Sequence, residues 1–245
     1  HQYLAYLRGV VSGEFGLSFV DRRPVTTVVA ERLWPSGQLL LASVALTIAV
    51  SLPLGVLAAV HRRSWIGSAI MVVAFTGYAV PSFVLAIVMV LTFSYWLNWL
   101  PVVGNGTWQH FIMPTIAMAG VLIAALTRFT RNAMLDVLGQ DFIRTARAKG
   151  AREGRVIYRH GLRNAMLPLS TGIGISILAT LSGSVAVELV FNRPGIGRLL
   201  IDAISERDYP VIQAGVMMFA FFVILVNLVM DVVYVFVDPR IRMKS

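Results

Sequence analysis

Five uninterrupted apolar runs dominate this chain. Gly37–Val60, Ile66–Leu97, Phe111–Thr127, Leu167–Val187 and Val211–Met230 contain no Asp, Glu, Lys, Arg or His. About 20 apolar residues cross the hydrocarbon core of a bilayer as a helix. The runs are continuous rather than alternating, so they are not strands of a membrane barrel. The pattern predicts an all-α, polytopic membrane helix bundle. Ile66–Leu97, at 32 residues, must tilt, bend at Pro81 or extend beyond the lipid. Pro53 and Pro114 are further predicted bends. Between the third and fourth runs the period changes. Met134, Leu135, Leu138, Phe142, Ile143 and Ala146 recur at helical spacing, predicting an amphipathic helix over Asn132–Ala148. Gly150, flanked by Ala148 and Ala151, interrupts it, and a second helical stretch covers Gly154–Met166. Pro168 is expected in the first turn of the fourth span.

Charge orients these spans. Only 13% of the 245 residues are charged, against about 25% in soluble domains. The net charge is +9, and its distribution follows the loops. His61–Trp65 carries Arg62 and Arg63, whereas Asn98–His110 carries no Lys or Arg. Arg128–Met166 carries nine basic residues, and Glu188–Pro210 has three balanced by Glu188, Asp202, Glu206 and Asp208. The tail adds Arg240, Arg242 and Lys244. Basic loops stay in the cytoplasm, so loops 61–65 and 128–166 and the tail 238–245 are expected there. Five spans then place 1–36 outside, although it carries Arg8, Arg22, Arg23 and Arg32. A further helix upstream would resolve that conflict, which predicts a longer, six-span protein. Residues 37–237 form the expected transmembrane domain, with an external loop at 188–210. Trp96, Trp99 and Trp108 suit an interfacial aromatic belt.

The same composition removes several kinds of chemistry. Ion-coupled carriers usually keep acidic or His residues within their spans, and these spans have none. That weakens coupling to protons or sodium, while a channel, a carrier and a membrane scaffold remain rival readings. A phosphate-cradling G-x-x-x-x-G-K-[ST] loop is absent. The four His residues (1, 61, 110 and 160) lack metal-ligand spacing, and the chain has no Cys. Thr171–Ser176 (TGIGIS) faintly suggests a nucleotide-binding glycine pattern, but no strand precedes it. Tyr158 is the one aromatic among the basic residues of 144–168, which argues against a nucleic-acid partner. A transport role would therefore draw its energy from outside, with the basic loop as the socket. Topology or anionic lipid would need only the Arg residues. The small residues make sense where a partner approaches the backbone closely.

TARAKGAREGRVIYRHGLRNAMLP, Thr145–Pro168, resembles the cytoplasmic coupling loop of ABC-importer permeases. Within them it is similar to the oligopeptide/dipeptide/nickel permease family. FGLSFVDRRPV (Phe15–Val25), NWLPVVG (Asn98–Gly104), VELVFNRPGIGRLL (Val187–Leu200), RDYPVIQ (Arg207–Gln213) and DPRIR (Asp238–Arg242) carry the same likeness along nearly the whole chain. The Glu-Ala-Ala triplet of the loop reads Thr145-Ala146-Arg147, and the distance from Gly150 to Pro168 exceeds that of sugar permeases. The resemblance implies a type I importer fold in a bacterial or archaeal cytoplasmic membrane. It implies a transport subunit rather than an enzyme. Its expected partners are a second, non-identical permease, two cytoplasmic ATPase subunits and an extracytoplasmic substrate-binding protein. ATP and Mg belong to the ATPase subunits, and no cofactor or metal to this chain. The solute would be a peptide, glutathione or a nickel complex.

Residue roles follow from both readings. Ala146, Ala148, Gly150 and Ala151 are expected to pack against the ATPase. Thr145, Arg147, Lys149, Arg152 and Glu153 surround them as polar contacts. In the external loop, Glu188, Arg193, Gly195, Arg198, Asp202, Glu206 and Asp208 are candidates for an outer gate or binding-protein docking surface, with a helix expected over Arg198–Arg207. Glu188 also reads as a helix-end anchor. Gly172, Ser176, Thr180 and Gly183 are candidates for a pathway lining, or for close helix packing through small residues.

Overall fold

The computed structural model describes residues 9, 12–102, 104 and 107–237. The tail 238–245 and residues 1–8 of the expected outer segment lie outside the described residues. Among those described, four helices are long and apolar enough to cross a membrane, or five when one bent pair counts as a span. Helix α1 (Val25–Val60) starts 12 residues before the expected run Gly37–Val60. Its first turns bury Val25 and Val29 against Ala203, Val211 and Ala214 from the far end of the chain. That tertiary contact makes helix of a stretch whose own pattern is mixed.

The long second run is a broken pair rather than one tilted span. Helices α2 (Trp65–Ala79) and α3 (Ser82–Trp96, whose last turns are π-helical) meet at 98°. Pro81 sits in the break and Val80 before it is extended, as a residue preceding proline prefers to be.

The basic loop is smaller than the sequence suggested. Helix α4 (Gln109–Leu138) carries on 11 residues past the expected end at Thr127. Asn132 therefore lies inside a span helix and does not begin a new one. The break comes at Gly139-Gln140, after which α5 (Asp141–Ala148) is a separate two-turn helix. The second amphipathic stretch and the fourth span are likewise one helix, α6 (Glu153–Val190), with π-helical turns at Val156–Leu162. Pro168 thus lies inside α6 instead of opening it, as Pro53 and Pro114 lie inside α1 and α4. Apolar periodicity alone could not show this continuity, because nothing in the Arg-rich segment stops a helix. Helices α7 (Ile196–Glu206) and α8 (Tyr209–Val237) complete the chain.

Small side chains hold α1 on α4. Ser43, Thr47, Ser51, Gly55 and Ala59 recur every four residues on α1, and all are buried. Such rows let helix backbones approach closely in lipid, where apolar burial gives little driving force. A Cβ on Gly55 would fall 2.6 Å from Thr130 Cγ2 and 2.8 Å from the Thr127 carbonyl. Gly55→Leu should therefore cost at least the roughly 1–3 kcal/mol of an overpacked core. A clear fall in detergent melting temperature checks this, and an unchanged value would refute the close seam.

Candidate functional site: the coupling turn and the outer loop

The turn after α5 is built by a standard helix stop. Lys149 N–H reaches the Thr145 carbonyl at 3.0 Å, Gly150 N–H the Arg147 carbonyl at 2.9 Å, and Ala151 N–H the Ala146 carbonyl at 3.2 Å. Gly150 has φ +77°, the left-handed residue on which such a Schellman stop depends. A Cβ there would meet nothing within 4 Å. Within this chain, then, Gly150 answers a backbone need and leaves open space around it. Ile143 is fully buried and anchors α5, while Phe142 on the same helix is exposed.

Thr145, Arg147, Ala148, Lys149, Gly150, Arg152 and Glu153 are exposed, with Ala146 and Ala151 half-buried. The expected cluster is thus brought together on one surface. Two of its charged members already have a partner. Arg147 Nε and Nη2 donate to Glu153 Oε1 and Oε2 at 2.7 and 3.4 Å, bridging the turn. So exposed a pair contributes little stability, but it fixes the side chains in register. Behind it lies a cavity of about 500 Å³ lined by Arg62, Leu138, Arg144, Arg147, Glu153 and Ile157.

The 188–210 segment, expected as the external loop, is organised by carboxylates. Glu188 is 1% exposed. Its Oε1 accepts from Ser36 Oγ at 2.5 Å and its Oε2 from the Arg198 N–H at 3.2 Å. Ser36 Oγ in turn accepts from the Ile196 N–H at 2.8 Å. Glu188 therefore caps the start of α7, where unpaired N–H groups and the helix dipole favour an anion. Gly195 and Gly197 leave it room, since a Cβ on either would run into the carboxylate. Arg193 is also buried and lies over the Phe111 ring, 4.0 Å from its centroid. Burial pushes its guanidinium below the usual arginine range, and the Glu188 charge acts in the opposite direction.

Asp208 ties the N-terminal segment to the end of the chain. Its carboxylate accepts from Ser18 Oγ, from the Phe19 N–H at 3.1 Å and from the Val20 N–H at 3.4 Å. Leu17 and Pro24 form an antiparallel bridge that shapes this segment. Burial raises the Asp208 pKa, but bonds from Ser18, Phe19, Val20 and Val211 outweigh it and hold the group below the usual carboxylate range. Its stabilisation is therefore complete above the unfolded value of about 3.9 and is lost as pH falls through the lower folded value. Asp208→Asn should lose about 1.5–3 kcal/mol at pH 7, the range for bonds to a charged group. Faster tryptic cleavage after Arg22 is the expected readout, since Pro24 blocks cleavage after Arg23. The difference in melting temperature from the parent should shrink below about pH 4.

The outer candidates thus divide. Glu188, Arg193 and Asp208 are buried and hold the loop together from inside, while Arg198, Asp202 and Glu206 lie on the outer part of α7. Arg198 and Asp202 pair at 3.4 Å. Ser18 and Ser36, the hydroxyl partners of the two carboxylates, were not singled out from the sequence. Only the likeness of Phe15–Val25 marked the neighbourhood of Ser18. The small residues of α6 divide too. Gly172 is buried against Phe129, where a Cβ would lie 2.7 Å from the ring, and Thr180 is buried with its hydroxyl bonded to the Ser176 carbonyl. Ser176 bonds to the Gly172 carbonyl at 2.8 Å, and Gly183 is half-buried. Gly172 and Thr180 therefore pack inside the chain, and the exposed side of α6 is Thr171, Ile175, Ala179 and Ser182.

Comparison with known proteins agrees with this geometry. Residues 51–243 match the family described as binding-protein-dependent transport system inner membrane component. The glutathione transport system permease protein GsiC of Escherichia coli strain K12 is 44% identical over 244 residues, covering 100% of this chain and 80% of the relative. Its counterpart in Shigella dysenteriae serotype 1 shows the same identity and coverage. Among solved structures, an inward-facing MetNI methionine ABC transporter aligns with a TM-score of 0.72 at 18% identity, over 86% of this chain and 96% of that one. An amino acid ABC transporter aligns at 0.65 and 13%, over 85% and 94%. The last two share the fold. Length of match and level of identity together place the chain in the family of inner-membrane components of binding-protein-dependent transport systems, as a multi-pass ABC-importer permease of the dipeptide/oligopeptide type.

Proposed function

We propose that this permease forms half of a translocation pathway for glutathione or small peptides, and that ATPase motion reaches it through the turn at 145–153. The observation that carries the reading is the exposed α5 stop. It presents small residues, an open space at Gly150 and an ion pair set across the turn. A partner surface can approach that backbone without displacing anything of this chain. The other half of the pathway is a second, non-identical permease. Two ATPase subunits carry ATP and Mg on the cytoplasmic side, and a binding protein delivers solute outside. Arg198, Asp202 and Glu206 on α7 form the polar part of the binding-protein surface. The orientation places loop 61–64, the 139–152 turn and the C-terminus in the cytoplasm of a bacterial or archaeal cell. The substrate class is supported by the 44% identity to the glutathione permease.

Reconstitution in proteoliposomes with the partner subunits tests it. Uptake of labelled glutathione or a dipeptide should require ATP inside and binding protein outside. Uptake by the permease without ATPase subunits would overturn the proposal in favour of a carrier or channel. Assembly with those subunits but no solute flux of any kind would favour a scaffold.

A further inference from the structure

A second basic site lies between α2 and α4, apart from the turn at 145–153 and the 188–210 segment. A cavity of about 400 Å³ is walled by Met71, Phe75 and Phe129 and edged by Arg128, Arg131 and Asn132. The Arg128 guanidinium lies 4.2 Å from the Tyr78 ring centroid and 5.0 Å from that of Phe75. Two aromatic faces thus hold it in place without neutralising it. Arg128 Nε and Arg131 Nε are both buried and without an acceptor. Among the described residues no carboxylate pairs with either side chain, and the lining contains no acidic group. Buried donors in native structures almost always find a partner. Two buried guanidinium N–H groups without an acceptor, on two residues that line one cavity, suit an acceptor supplied from outside the chain.

The surroundings say which acceptor. Val72 and Val73, neighbours of the cavity on α2, are exposed apolar residues on a helix of an inner-membrane protein. Exposed apolar side chains of this kind suit contact with lipid acyl chains. Arg128 also directly follows the apolar run that ends at Thr127. Given the orientation proposed above, on which this inference rests, that is the cytoplasmic end of the span. Basic pockets between helices on this side suit anionic head groups, and paired guanidinium groups suit phosphate oxygens. We infer that Arg128, Arg131 and Asn132 form a phosphate site for an anionic phospholipid of the cytoplasmic leaflet, with Met71, Phe75 and Phe129 lying against its glycerol and upper acyl carbons.

Native mass spectrometry and melting of the assembled importer in nanodiscs test this. Phosphatidylglycerol, compared with phosphatidylcholine, should be retained by the parent and raise its melting temperature. Arg128→Gln combined with Arg131→Gln should weaken that retention about thirtyfold, taking the usual contribution of two basic residues near an anionic surface. Asn132 is exposed, so Asn132→Glu should fold normally. It places a carboxylate at the site, competes with the lipid and should abolish the phosphatidylglycerol effect even if the double variant fails to assemble. Equal retention of the two lipids by the parent, or an undiminished phosphatidylglycerol effect in Asn132→Glu, would overturn the site. An equal stabilisation by inorganic phosphate or glutathione in phosphatidylcholine nanodiscs would overturn the lipid assignment in favour of a soluble anion. Retained lipid in an importer that fails to transport would count against the coupling account alone, so the two readings fail separately.

Discussion

Gly150→Glu should leave the permease inserted and assembled while ATP hydrolysis continues without solute uptake. The space around Gly150 inside this chain is empty, so the new side chain meets nothing of its own fold. What it disturbs locally is the left-handed conformation at φ +77°, which costs a residue with a Cβ roughly 1–2 kcal/mol. At the end of a short exposed helix, such a cost frays the turn but does not unfold the seven other helices described. Against a partner surface the same side chain adds bulk and a negative charge. Loss of one central contact of about 2 kcal/mol corresponds to about thirtyfold, and uptake should fall by at least that much. Gly150→Asn separates the two effects, because Asn tolerates the left-handed region better than other side chains with a Cβ. If Asn also uncouples, contact is the cause. If only Glu and Ala do, backbone conformation is. Unchanged uptake in Gly150→Glu would contradict the proposed role of the turn.

Glu188→Ala should have the largest effect on stability. It leaves the Ser36 hydroxyl and the N–H groups at the start of α7 without their acceptor. It also leaves buried Arg193 without the charge that acts on it. Removing one member of a buried charged arrangement costs about 3–5 kcal/mol. For a chain of this size that corresponds to a fall of about 10 °C in melting temperature. Glu188→Gln preserves the shape and loses the charge, so it should fall between parent and Ala. A melting temperature for Glu188→Ala within a degree or two of the parent would show that the carboxylate does not hold the loop.

The sequence disclosed the membrane architecture because its signal is large. Five runs without charge, separated by loops of alternating basicity, leave little choice of fold class. The stop at Gly150 was legible for a similar reason: a Gly among small residues after an amphipathic stretch is a helix stop, and the structure has one there. The helix boundaries were not legible. Asn132–Leu138 read as the start of a separate amphipathic helix, set off from the third span by Arg128 and Arg131, yet α4 runs through them unbroken on an apolar face containing Ala133 and Met134. The roles of Glu188, Arg193 and Asp208 were hidden for another reason. A charged residue in an external loop reads as a surface contact. Only the return of the chain onto Ser18 and Ser36, 190 and 152 residues away, turns two of these charges inward. Long-range hydrogen bonds of this kind leave no periodicity. The small residues of α6 were ambiguous by nature, since a row that packs helices and a row that lines a path have the same composition.

The chain contains no Cys, so a single cysteine reports one position without background. With Ala148→Cys, exposed beside Gly150, a short cross-linker that is thiol-reactive at one end and photoreactive at the other, applied to the reconstituted importer, tests the central claim directly. The account predicts a covalent product between the permease and the ATPase subunit, formed at a rate that changes when ATP is bound. A product with the ATPase from Ser182→Cys on α6 but none from Ala148→Cys would contradict it.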